Sequence, residues 1–116
     1  VVPYGSPVDE DAWAEVGRLT AWLDERDGQP PDVRRLLRVL KIAEEAGEVA
    51  QAVNGALGAN PRKGFSHDWA DVHAELCDVI ITCMVALSSF TPDARQVFEE
   101  HLRRVAARSL PPAAAG

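Results

Sequence analysis

Lys41-Ile42-Ala43-Glu44-Glu45-Ala46-Gly47-Glu48-Val49 sets three carboxylates inside a run that otherwise reads as a buried helix. Residues three and four apart share a helix face, so Glu44, Glu45 and Glu48 form one patch with Lys41 beside it. Around them stand Leu36, Leu37, Val39, Leu40, Ile42, Ala43, Ala46, Gly47, Val49, Ala50 and Val53. A helix apolar on nearly every side is expected in a core, and carboxylates are rarely buried there unless paired or bound to a metal. The patch therefore faces solvent through a gap in the fold or meets something positive.

A second stretch answers it. Asp71, Glu75 and Asp78 are spaced four and then three, so they line one face of another helix. Asp71 either extends that face or serves as a first-turn acid that complements the helix dipole. Next to it runs the apolar stripe Trp69, Val72, Leu76, Val79, Ile80, Cys83, Leu87 and Phe90. Two helices with apolar faces pack together, and two acidic stripes then meet at the edge of the contact. Like charges at that range repel strongly. A divalent cation relieves the repulsion, and an all-carboxylate donor set favours magnesium, with manganese as a substitute.

The remainder of the chain reads as further helices. A helix is expected from about Val8 to Arg26, with Ala12, Trp13, Val16, Leu19 and Leu23 on its core stripe and Trp22 at the margin. Asp27-Gly28-Gln29-Pro30-Pro31 ends it, with glycine at the C-cap. Asp32 is placed to cap the helix that carries the first patch, which runs to about Asn54. Asn54 to Ser66 is a loop holding Asn60-Pro61-Arg62-Lys63-Gly64-Phe65, whose two adjacent cations suit an anion. The next helix spans about His67 to Ser89. Thr91-Pro92-Asp93 then reads as an N-cap, a first-turn proline and a first-turn acid, opening a helix with Val97, Phe98, Leu102 and Val105 on its apolar side. Arg104 and Arg108 share its polar side. No strand period survives, so the fold class is all-α and four-helix-bundle-like.

The 116 residues make one domain, with tails expected at 1–7 and 110–116. The chain is 47% hydrophobic and carries a net charge of −6, with a sequence pI near 4.9. That balance argues against a nucleic-acid polymer or an acidic membrane as partner, since both are bound through basic surface. Cys77 and Cys83 lie six apart on one expected helix, about 9 Å of rise, too far for a disulfide. They read as buried core thiols, and Trp13, Trp22 and Trp69 as core aromatics. No apolar run reads as a membrane span and no signal segment opens the chain, so a cytoplasmic location is the expectation. His67 and His73 do not fit a metal cluster, and Glu-x-x-His, Walker A, GxGxxG, CxxC and nucleophile-elbow patterns are missing.

From about Leu36 to Leu87 the sequence resembles the MazG-like all-α nucleoside triphosphate pyrophosphohydrolases: Glu44-Glu45-x-x-Glu48, a loop, then Glu75-x-x-Asp78, each in a similar flanking context. The resemblance implies hydrolysis of a nucleoside triphosphate to monophosphate and pyrophosphate with magnesium, in nucleotide-pool cleaning. It implies Glu45, Glu48, Glu75 and Asp78 as metal ligands, Glu44 as a further ligand or as the base orienting water, and self-association as a dimer or tetramer. Position and charge add Asn60, Arg62, Lys63, Arg104 and Arg108 as candidates for binding the phosphates. The competing expectation is a non-catalytic helical module that dimerises or docks a partner and keeps its acids in solvent.

Overall fold

The computed structural model describes residues 11–112, and among them the regular structure is entirely helical: α1 (Ala12–Arg26), α2 (Pro31–Leu57), α3 (Trp69–Phe90) and α4 (Ala94–Ser109). The expected tail at 1–7 and the end of the one at 110–116 lie outside the described residues.

Local chemistry sets the helix ends, in several places differently from the sequence reading. α1 begins at Ala12, because Asp11 is the N-cap: its backbone is extended and its Oδ1 accepts from Ala14 N at 2.8 Å; the expected start near Val8 lies outside the described residues. At the other end the Asp27 carboxylate accepts from Gln29 N at 2.8 Å, an Asx turn that replaces the expected glycine cap. α2 opens on Pro31, a favoured first position, so Asp32 falls in the first turn and pairs with Arg35 instead of capping. It runs on to Leu57 and stops at Gly58, whose φ of 62° is left-handed, while Ala59 N reaches back to Asn54 O at 2.9 Å. α3 starts with a reciprocal capping box: Asp71 N donates to Asp68 Oδ1 and Asp68 N to Asp71 Oδ2, both at 2.9 Å. Thr91 closes α3 and does not cap α4; its Oγ1 accepts from Asp93 N, and Asp93 stands at the start of α4.

α3 is the helix that the others meet. α2 and α3 form an antiparallel pair, with Gly55 close under His67 at one end and Arg38 Nη1 donating to Ser89 Oγ at 2.7 Å at the other. α1 lies against α3 and is tied to α2 through Asp24, whose Oδ1 sits 2.8 Å from Arg38 Nη1 and 3.3 Å from Arg34 Nε. These are close enough to attract, although the carboxylate oxygen lacks an aligned hydrogen bond. α4 packs more lightly on α3 and touches α1 through Trp13–Phe98, ring centroids 5.9 Å apart, and Arg95–Asp11.

The buried set is small: Val16, Thr20, Ala52, Gly55, Val72, Val85, Ala86 and Ala94. Large apolar side chains stay open, including Leu36 at 60%, Leu40 at 64%, Ile80 at 58% and Trp69 at 51%. The sequence reading of α2 as buried on nearly every side is corrected: only the face against α3 is covered. Trp22 and Trp69 are exposed and Trp13 half-buried, so none is a core residue, and Cys77 and Cys83 are free and exposed rather than buried. The cause is geometric. One neighbour covers one stripe of a helix, and α2 has one full-length neighbour. α3, with 22 residues and a mean hydropathy of 1.5 over its most apolar 18-residue window, is by length and composition alone apolar enough to cross a membrane. It carries Glu75 and Asp78 and is contacted by all three other helices.

The α2 stop gives a direct test. Gly58→Ala places a Cβ in left-handed backbone, which costs about 1–2 kcal/mol, and sets it 2.7 Å from the exposed Phe65 ring, which can swing away. Urea unfolding is expected to show that loss, whereas Gly64→Ala, whose Cβ meets open space, shows the backbone cost alone.

Candidate metal centre

Register along the antiparallel α2–α3 pair brings Glu45 and Glu48 of α2 to Glu75 of α3. Each offers a carboxylate oxygen, and the three oxygens lie within 4.8 Å of one another. Glu45 is well enclosed, its side chain 13% exposed, with Lys41 Nζ 3.4 Å from Oε1. Glu48 is exposed. Its carboxyl is held above the ordinary carboxylate range, first by the charge of Glu45, then by partial desolvation, then by the charge of Glu75 and the hydrogen bonds that a protonated Glu48 makes to both. Glu75 is half-buried, and its Oε2 is enclosed with no donor.

That last atom tests whether the residues suit a cation. An enclosed carboxylate oxygen without a donor is costly. Lys41 Nζ pairs with Glu45 Oε1, while Glu75 Oε2 has no hydrogen-bond partner. A hard divalent cation held by one oxygen of each glutamate would neutralise the Glu75 carboxylate and offset the repulsion on Glu48 together. The donor set therefore fits magnesium or manganese.

Not every expected residue joins. The single patch Glu44, Glu45 and Glu48 divides: Glu45 and Glu48 join the α3 acid, while Glu44, about 100° round the helix from Glu45, is exposed and outside the cluster. Asp78, one turn beyond Glu75, is likewise exposed and outside it. Asp71 is engaged in the α3 capping box, so its first-turn reading holds and it does not extend the site. Lys63 and Asn60 line a polar cavity of about 120 Å³ against the last turns of α2, shared with Gln51, Asn54, Ser66 and His67. Arg62 is exposed and outside that lining; its backbone N–H donates to Asn60 Oδ1. Arg104 and Arg108 are exposed on the second half of α4 and line neither cavity that flanks the acids.

The other flanking cavity, of about 680 Å³, lies where α1 meets α2 and α3, with Leu19, Leu23, Ile81 and Val85 on its apolar wall and Arg38 and Lys41 at its charged rim. The sequence reading did not find it. Arg38 lies seven before Glu45, two turns along the same face, which was a readable signal; the approach of α1 was not. Gln51 and His67 were missed for the same reason, since the loop folds back onto α2 only in three dimensions.

Comparison with family models, with characterised proteins and with solved structures found no match for the chain.

Because Glu48 is easier to protonate in the folded chain than in the unfolded one, its contribution favours folding below the unfolded carboxyl range and is lost as pH rises through the raised folded value. Glu48→Gln is therefore expected to raise the melting temperature of metal-free protein at pH 7, with the gain vanishing at acid pH. Magnesium or manganese should raise the wild-type melting temperature by mass action and leave Glu75→Gln nearly unmoved, a comparison read by differential scanning fluorimetry.

Proposed function

We propose that this chain is a magnesium-dependent pyrophosphohydrolase of the MazG-like kind, converting a nucleoside triphosphate to monophosphate and pyrophosphate, and that it works as a self-associated helical bundle. The observation that carries the reading is the Glu75 carboxylate, which brings one oxygen within 4.8 Å of Glu45 and Glu48 oxygens and whose Oε2 is enclosed without a hydrogen-bond donor. Glu45, Glu48 and Glu75 would hold the cation, with Asp78 one turn along α3 as the fourth carboxylate. Bound there, magnesium supplies charge neutralisation for the phosphates and a template for an in-line attack.

The chain's own groups supply the rest. In the proposed step the oxygen of a water bonds to the α-phosphorus, and the bond from that phosphorus to the bridging oxygen breaks. The electron pair leaves with the pyrophosphate, and a proton of the water passes to a carboxylate. Glu44 is the proposed acceptor, standing next to Glu45 without sharing its cluster. Lys41, paired to Glu45, keeps that side chain oriented. Cations such as Lys63 and Arg62 are proposed to take phosphate charge.

Self-association is supported by what one chain leaves open. Val33, Leu36 and Leu40 lie three and four residues apart on α2 and are 41–64% exposed. The proposed occupant is the same stripe of a second copy, completing a bundle around α2. The stripe also suits the rival reading, a helical module that only dimerises.

Release of pyrophosphate from a panel of nucleoside triphosphates, with and without magnesium, separates the two. Glu48→Gln and Glu75→Gln are each expected to lose at least about 100-fold in turnover while keeping the helical circular dichroism of the wild type. Full activity in both variants, or none in well-folded wild type on any triphosphate, overturns the proposal. Independently, Leu40→Asp should move the protein toward monomer in sedimentation experiments across concentration.

A further inference from the structure

Resting on the pyrophosphohydrolase reading, we propose that the substrate lies along α2 with a fixed polarity, its leaving pyrophosphate held in the polar pocket between the end of α2 and the 58–68 loop, by Lys63 and His67. Both helices of the central pair carry the same order of features. Along α2, Arg38 and Lys41 border the large apolar-walled cavity, Glu45 and Glu48 follow, and Gln51 and Asn54 border the polar pocket. Along α3, read backwards, Thr82 and Ile81 border the first cavity, Glu75 stands with the acids, and His67, just before the helix, borders the second. The acids thus sit between an apolar recess and a polar one, Lys41 and Gln51 being about 15 Å apart along the axis.

The lining of the polar pocket decides its ligand. Gln51 and Asn54 amides, the Lys63 ammonium, the Ser66 hydroxyl and the His67 ring are donors or can become donors, and no carboxylate is among them. The two nearest aspartates are already used, Asp68 and Asp71 closing each other's backbone at the start of α3. The loop is built, not loose: Lys63 N and Gly64 N both donate to Asn60 O, at 3.1 and 2.8 Å, and Gly64 turns at a φ of 63°. Ser66 and His67 press so closely on Gly55 that an added Cβ would stand 2.2 Å from His67 Nδ1. A pocket of about 120 Å³ lined by such donors suits phosphate oxygens. When the bond from the α-phosphorus breaks, the departing electron pair adds charge to the pyrophosphate, and a nearby ammonium stabilises that charge where it develops. The nucleoside end then points toward Leu23 and Ile81.

The test uses inorganic pyrophosphate, with and without magnesium, and the nucleoside monophosphate product as separate probes, by calorimetry and product inhibition on the full chain. Lys63→Ala, at an exposed position where the fold tolerates change, is expected to weaken pyrophosphate binding about tenfold and leave the monophosphate within twofold; Lys63→Arg restores most of it. Leu23→Trp, which fills the apolar recess, should show the reverse pattern. Unchanged pyrophosphate affinity in Lys63→Ala, or an equal loss for both products, overturns the polarity while leaving the hydrolase reading intact. Equal, Lys63-dependent binding of inorganic phosphate and pyrophosphate overturns it too, as it marks an adventitious anion pocket. Wild-type protein that neither binds pyrophosphate nor releases it from any triphosphate overturns the parent reading and this one together.

Discussion

The packing of α2 on α3 forces three carboxylates to within 4.8 Å of one another, and much else in the chain is arranged around that repulsion. It raises Glu48, leaves an oxygen of Glu75 enclosed without a donor, and recruits Lys41 to Glu45. Three acids converging where two helices meet carry a mutual repulsion that a bound cation would relieve.

The second constraint is incomplete burial. Among the described residues the buried ones are small or β-branched, and no large side chain is fully enclosed. A pair of helices covers one stripe on each member; α1 adds partial cover on α3 and α4 adds little. The apolar stripe of α2 is therefore left facing outward. This follows from one chain supplying fewer neighbours than its apolar surface calls for. Additional copies packed on α2 would convert exposed leucines into core without altering the α2–α3 register on which the acids depend.

The two recesses beside the acids arise from different parts of this geometry. The apolar one exists because α1 crosses onto α3 and is anchored to α2 by Asp24, Arg34 and Arg38. The polar one exists because Gly55 has no side chain, which lets His67 and Ser66 close over the last turns of α2. A substitution at Gly55 acts on the site through the loop, without touching any acid.

The amino-acid sequence by itself determined the helices and the acids. Helical spacing of apolar residues over 31–57 and 69–90, together with Gly and Pro at the breaks, is local information, and so the all-α class and the pairing of two acidic stripes were legible. Helix ends were legible only roughly, because Asp11, Asp27 and Thr91 compete for backbone groups within a few residues and the geometry chooses the winner. Tertiary structure alone decided which acids converge. Spacing treats Glu44 and Glu45 alike, and Glu75 and Asp78 alike, but the approach of a second helix selects the side chains facing it, so Glu45, Glu48 and Glu75 meet while Glu44 and Asp78 stay outside. It also decided burial. Hydrophobicity says what a residue prefers, and only the number and placement of neighbours says what is covered, which is why tryptophans, cysteines and leucines expected in the core lie in the open.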